Sequence, residues 1–166
     1  MNEKTQIRPL QAAEYTAACK VIRASFATVA AELGLTRENC PTHTSFLRLP
    51  RLRRDIKNGA TPFGYFHGKK LLGYVSLTPA GEGDFVLNHL AVLPEFRHCG
   101  IGKELLDFCK AEAKRRGGGR IELSLIEENT RLKQWYTQNG FVHSGTQQVA
   151  HLPFTVGHMC WEVKAS

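Results

Sequence analysis

Arg97, Gly100 and Gly102 stand at the entrance to a charged amphipathic stretch in PEFRHCGIGKELLDFCKAEAKRR (Pro94–Arg116), directly after an apolar run. Glycines at such a junction let backbone N–H groups turn inward. A helix starting there adds roughly half a positive charge at its N-terminus. The chemistry of the spacing is therefore anion binding. Two phosphate loops can be excluded. A G-x-x-x-x-G-K-[ST] loop would need glycine at Arg97 and serine or threonine at Glu104. A G-x-G-x-x-G dinucleotide loop would need glycine at Leu105. What remains is R-x-x-G-x-G, Arg97 to Gly102.

The elements that must hold this loop can be read from periodicity. Thr5–Arg8 reads as a short opening strand. From Gln11 to Leu33, Tyr15, Ala18, Ile22, Phe26, Val29 and Leu33 recur at helical spacing, and Gly34 closes the run. A shorter helix is expected within Thr42–Lys57, with Pro50 leaving its extent open. Thr61–Gly68 and Lys69–Pro79 read as a hairpin around Gly68-Lys69, and Gly83–Leu93 as a mostly apolar strand in a sheet centre. Ile101–Arg116 reads as a helix with the buried stripe Ile101, Leu105, Leu106, Cys109 and Ala113, ended by Gly117-Gly118-Gly119. Arg120–Ile126 alternates as a strand, Asn129 caps a helix carrying Leu132, Trp135 and Tyr136, and Phe141–Val149 and Phe154–Val163 complete the strands. Helices interspersed among strands in this order indicate a mixed sheet with helices on both faces. No repeat or linker divides the chain, so a single domain over residues 1–166 is expected.

The stretch L-x-V-x-P-x-x-R (Leu90, Val92, Pro94, Arg97), the glycine loop and the helix after it together resemble the acyl-CoA pyrophosphate loop of the GNAT superfamily of N-acetyltransferases. A second match is NTRLKQWYTQNGF. There Asn129, Leu132, Tyr136 and Gly140-Phe141 follow the family's N-x-x-A-x-x-L-Y-x-x-x-G-F spacing, with Leu132 for the usual alanine and Trp135 for the usual leucine. The segments IEEN, LK-WY, GF and HLPFTVG resemble a subgroup of single-domain members.

The resemblance implies an α/β (α+β) fold with a mixed, mostly antiparallel central sheet, acetyl-CoA as cosubstrate, no metal, and a small-molecule or peptide amine as acceptor. It implies that Leu90, Ala91 and Val92 offer main-chain partners to pantetheine and the thioester carbonyl. The backbone around Arg97, His98, Cys99, Gly100, Ile101, Gly102 and Lys103 would hold the pyrophosphate, and Asn129 would serve as helix cap, CoA contact or both. Tyr136 would protonate the departing thiolate. An acid often stands two residues before Leu90 in the family. Here that residue is Asn88, which can order a water but cannot take a proton. Strict strand alternation would turn the neighbouring His89 to the opposite face. Glu127, Glu128, His43 and His151 are the other titratable groups that folding could bring close.

Hydrophobic content of 42% and charged content of 22% fit a globular chain. No apolar run approaches the roughly 18 residues of a membrane span. Met1–Leu10 carries no signal-peptide core, so a cytoplasmic location is the expectation. Five cysteines without C-x-x-C spacing suggest neither a disulfide framework nor a zinc site. The net charge of +7 suits a polyanionic cosubstrate. The basic run Arg48–Lys57 keeps a nucleic-acid reading open but has no interleaved aromatics, and it reads as a solvated face. A non-catalytic acyl-CoA-binding module is the other alternative, motivated by Asn88. Dimers are frequent in folds of this type, so a homodimer is a candidate assembly.

Overall fold

The computed structural model describes residues 4–163. Its elements follow in the order β1 (Thr5–Pro9), α1 (Tyr15–Leu33), α2 (Leu49–Lys57), β2 (Thr61–His67), β3 (Lys70–Pro79), β4 (Phe85–Val92), α3 (Ile101–Arg115), β5 (Arg120–Ile126), α4 (Thr130–Gln138), β6 (Val142–Gln148) and β7 (Thr155–Glu162). Single 3₁₀ turns precede α1, α2 and α3. The seven strands form one sheet in the order β1-β2-β3-β4-β5-β7-β6. Every neighbouring pair is antiparallel except β4 and β5.

Local signals explain most boundaries. Gly34, in the left-handed region at φ 65°, ends α1 and donates its N–H to the Ala30 carbonyl. Pro50 lies in the first turn of α2, where no N–H is needed, so it starts that helix and does not limit it. The Asn129 side chain accepts from the Leu132 N–H at 3.2 Å and caps α4.

The sheet is covered on both faces. On one, α3 contributes Ile101, Leu105, Leu106, Cys109 and Ala113 to a core with Val75, Leu77, Leu123, Tyr136 and Met159. On the other, α1 contributes Ala18, Cys19, Val21 and Ile22 to a core with Leu52, Phe66, Tyr74 and Ala91. Strand β3 is buried from Leu71 to Leu77, as its near-continuous apolar run requires. Gly73 allows the close approach of α3, since a Cβ there would lie 2.9 Å from Leu105 Cδ1 and 3.1 Å from Ile101 Cγ2.

Two irregularities shape the centre of the sheet. Strands β4 and β5 are paired only at Phe85–Ile121 and Val86–Glu122, and beyond these positions they part. In β4, the register against β3 steps from Ser76–Asn88 to Tyr74–Ala91, so three steps along β4 match two along β3. The extra residue is a β-bulge, with His89 at φ 57°.

Candidate active site

The loop expected to hold an anion lies where β4 gives way to α3. Leu93 N–H still reaches β3 through the Leu72 carbonyl, and Pro94–Phe96 then make one 3₁₀ turn. His98 (φ 62°) and Gly100 (φ 85°) both adopt left-handed backbone on either side of Cys99. The first intrahelical bond of α3 runs from Glu104 N–H to Gly100 carbonyl. The N–H groups of Ile101, Gly102 and Lys103 precede it and have no partner within the helix. No atom lies within 4 Å of where a Gly100 Cβ would be. Lys103 points its ammonium along the helix to Asp107 at 2.6 Å.

Arg97 has a different job from its neighbours. Its guanidinium donates to the Ser25 carbonyl at 2.7 Å, and the Ser25 hydroxyl accepts from Val92 N–H at 3.3 Å. This serine thus ties α1 to both ends of the β4–α3 junction. Arg97 positions the loop through α1, a role that a motif of local spacing could not reveal.

Beyond Val86 the parted strands leave a cleft between β4 and β5. On the α2 side of β4 the bulge corrects the expected alternation, because Asn88 and His89 line the same cavity of about 360 Å³, with Ser76 and Tyr74 of β3 and Arg51 and Asp55 of α2. An extra residue in one strand breaks the two-residue period, so successive side chains need not face opposite sides. The basic run of α2 accordingly divides. Arg51 faces this cavity and donates to the Thr42 carbonyl at 2.9 Å, while Arg53 and Arg54 remain exposed.

His89 is a poor base in its present setting. Burial, with the Arg51 charge adding to it and Asp55 opposing, pushes the imidazole down to about 4. It is neutral at pH 7 and stacks edge-on against Phe26 at 6.5 Å. Because the unfolded imidazole takes a proton near 6.5 and the folded one only near 4, the unfolded state binds more protons between those values. Stability is therefore full above about pH 6.5 and falls as pH drops towards 4, by on the order of 3 kcal/mol. A His89→Asn variant, which tolerates the left-handed backbone, is expected to lose that component. Urea unfolding at pH 7 and pH 4 checks it, and parallel losses in both proteins would refute the assignment.

On the α3 face, Tyr136 is 5% exposed. It meets Trp135 and Phe141 edge-on at centroid distances of 5.0 and 5.4 Å. Burial, reinforced by the Cys109 thiol, lifts its phenol well above the ordinary tyrosine value. Trp135 packs on the first turn of α3, with ring carbons 3.6 and 3.8 Å from where a Gly102 Cβ would be, and 3.9 Å separates that point from Val92. Trp135 thus borders the junction where β4 ends and α3 begins, with Tyr136 packed behind it.

Of the other candidate titratable groups, His43, Glu127 and Glu128 are engaged in holding the fold. His43 is buried, its ring Nδ1 2.7 Å from Ser45 Oγ, and burial lowers its affinity for a proton. Glu127 is held below the usual carboxylate range by Lys133 at 2.7 Å and His143 at 2.9 Å. Glu128 accepts from the Thr155 N–H at 2.9 Å. His151 is exposed on the turn between β6 and β7. Sequence reasoning missed a further pair, Ser124 Oγ and His158 Nδ1, 2.9 Å apart on β5 and β7. Alternation in RIELSLI sets Ser124 opposite in sense to Ile121 and Leu123, but nothing local identifies its partner. Among the described residues, no group of three or more His, Cys, Asp or Glu could hold a metal ion, and no helix is long and apolar enough to cross a membrane.

Comparison with known proteins bears on this arrangement. A family model described as the acetyltransferase (GNAT) family matches residues 28–141. No curated protein matches the chain. Among solved structures, the ribosomal-protein-S18-alanine N-acetyltransferase from Escherichia coli superposes with a TM-score of 0.79 at 14% identity, over 98% of this chain and 96% of that one. The PaiA N-acetyltransferase from Thermoplasma acidophilum, in complex with coenzyme A, gives 0.75 at 23%, over 96% and 99%. A chimera of the Vibrio cholerae spermidine N-acetyltransferase SpeG with hSSAT gives 0.73 at 15%, over 96% and 95%. At these identities the likenesses show a shared fold.

Proposed function

The chain belongs to the acetyltransferase (GNAT) family, and from that premise we propose that it transfers an acetyl group from acetyl-CoA to a primary amine by direct attack in a ternary complex. The observation that carries this reading is the parting of β4 from β5 beside a helix N-terminus whose first donors lack helical partners. The residues present fit such a cosubstrate. The N–H groups of Ile101, Gly102 and Lys103 suit a pyrophosphate, the left-handed Gly100 opens the approach to them, and the +7 charge draws a polyanion in. When bound, acetyl-CoA supplies an activated acyl group and a thiol leaving group.

Several residues take roles in this reading. Main-chain groups of Leu90, Ala91 and Val92 on the free edge of β4 would orient the thioester, and an N–H aimed at its carbonyl would be worth roughly 3–4 kcal/mol in the transition state. Because the Ser25 hydroxyl takes the Val92 N–H, Leu90 is the better donor of the three. Tyr136 would hold a proton for the sulfur. Burial lifts its phenol further above the thiol's ~8.5, so it acts first as a hydrogen-bond donor to the developing thiolate and gives up the proton as the C–S bond breaks. Asn88 orders a water or the acceptor in the cavity it shares with His89. A small molecule or peptide amine suits that cavity, and a cytoplasmic site of action goes with a cosubstrate too charged to cross membranes unaided.

Thermal unfolding with acetyl-CoA, CoA, ATP and NAD, each near 1 mM, tests the reading. A Kd of about 10 μM would add roughly 2.7 kcal/mol, or on the order of 5–10 °C in Tm. The expected result is a shift with acetyl-CoA and CoA and none with NAD. Equal response to all four ligands, or to none, would overturn it.

A further inference from the structure

The acceptor must lose a proton before it can attack, and Asn88 cannot take one. Three registers place another group in line with it. Ser76 of β3 is opposite Asn88 of β4, and Val86 of β4 lies beside Glu122 of β5 in the parallel pair. Two residues further along these parallel strands, Asn88 and Ser124 stand at the same level on either side of the cleft. Ser124 is in turn opposite His158 of β7. Ser76, Asn88, Ser124 and His158 therefore form one polar row across the sheet.

The row shares a face. Leu123 and Met159, the sequence neighbours of Ser124 and His158, are buried against α3 and Tyr136, so Ser124 and His158 project to the face that carries α1 and α2. That is where the cavity lined by Asn88 and His89 opens. Opposite His158 on β6 stands Gly145, which puts no side chain over the imidazole. Other ionisable groups facing the row are Glu122, paired with Arg120 at 2.9 Å, Cys160 on β7, Tyr74, which hydrogen-bonds Ser76 and whose phenol burial pushes up, and Arg51, Asp55 and neutral His89. Where the row meets the loop after α1, the packing residues are the uncharged Leu33, Leu35 and Cys40 against Ile126.

We propose that His158 is the proton acceptor for the incoming amine, positioned by Ser124. This rests on the acetyl-transfer reading above. His158 Nδ1–H donates to Ser124 Oγ, which leaves the Nε2 lone pair for the substrate. The ammonium R–NH₃⁺ gives one proton to Nε2, and the freed lone pair forms the C–N bond to the thioester carbon. As the C–S bond breaks, its electron pair leaves with sulfur, which takes the Tyr136 proton to become the thiol, and the second proton of the nitrogen passes to the phenolate and restores it. The imidazolium returns its proton to water. Ser124 touches no reacting atom and acts only through His158.

The test has two arms. In ¹⁵N-histidine NMR of the protein at pH 8, His158 is expected to show the Nδ1–H tautomer, and an Nε2–H tautomer would overturn the assignment. In kinetics with spermidine, benzylamine and lysine methyl ester as probe amines, His158→Gln should lower kcat/KM at pH 7 by roughly 10²-fold or more. It should also abolish the acid limb of the wild-type pH profile. Ser124→Ala should shift that limb with a smaller loss, and Ser124→Thr should restore it. Acetyl-CoA should raise Tm equally in all four proteins. A His158→Gln variant with the wild-type rate and profile would overturn the proposal. The tautomer decides the matter even where none of the three amines is acetylated, whereas a wild-type protein that acetyl-CoA fails to stabilise would sink the acetyl-transfer reading itself.

Discussion

Replacing Tyr136 by phenylalanine is expected to lower kcat by roughly 10²-fold or more, while the affinity for acetyl-CoA stays within about twofold. The substitution removes one oxygen and leaves the ring, so the edge-on contacts with Trp135 and Phe141 persist. On the proposed reading, only the proton source for the leaving sulfur is lost. That proton matters because a thiolate expelled into a dry site is poorly solvated and recaptures the acyl group. The loss should shrink when the leaving thiol is replaced by one of lower pKa, since such a sulfur departs without help. Rapid-quench measurement of the first turnover separates this effect from slow product release. A Tyr136→Phe protein that turns over at the wild-type rate would show that the tyrosine is a packing residue, as its burial alone would suggest.

The second large effect is structural. Leu105→Ala is expected to cost roughly 2–5 kcal/mol, seen as a fall in Tm of about 5–15 °C. Leu105 has no exposed surface and is packed on Gly73, whose missing side chain lets α3 lie close to β3. No side chain nearby can fill the space without moving the helix. Because the loop expected to hold acetyl-CoA leads into the first turn of that same helix, affinity for it should fall as well, although Leu105 offers no surface to a ligand. Leu105→Met, which conserves volume, should cost less than about 1.5 kcal/mol. Calorimetry of the three proteins decides the point, and a Leu105→Ala loss below about 1 kcal/mol would mean that the helix is not anchored there.

Much of this was legible in the residues themselves. The stripe Ile101, Leu105, Leu106, Cys109 and Ala113 is the buried face of α3. Asn129 caps α4 as its type suggests, and the strand boundaries follow the turn glycines closely. These features depend on periodicity and on backbone chemistry within a few residues. The bulge was not legible, because NHLAV contains neither glycine nor proline to mark a break, and only pairing with β3 reveals the extra residue. With it came the placement of His89 beside Asn88. The anchoring of Arg97 by Ser25 spans 72 positions, and the Ser124–His158 pair spans 34. Contacts of that range depend on which strands become neighbours, and strand order across β5, β7 and β6 is not written in any local pattern.

The narrow join between β4 and β5 also divides the sheet into two groups of strands that share little backbone pairing. Strands β1 to β4 are bonded to one another along most of their length, as are β5, β7 and β6, but two paired positions are all that the registers supply between the groups. Helix α3, seated on β3 and β4 and reaching Ile121, bridges them by side-chain packing. Opening along this seam breaks few backbone bonds, so the halves can breathe against each other well below the free energy of complete unfolding. Amides on the facing edges of β4 and β5 are then expected to exchange faster than the paired amides inside either group, and an occupant of the cleft acts as a clasp that slows them.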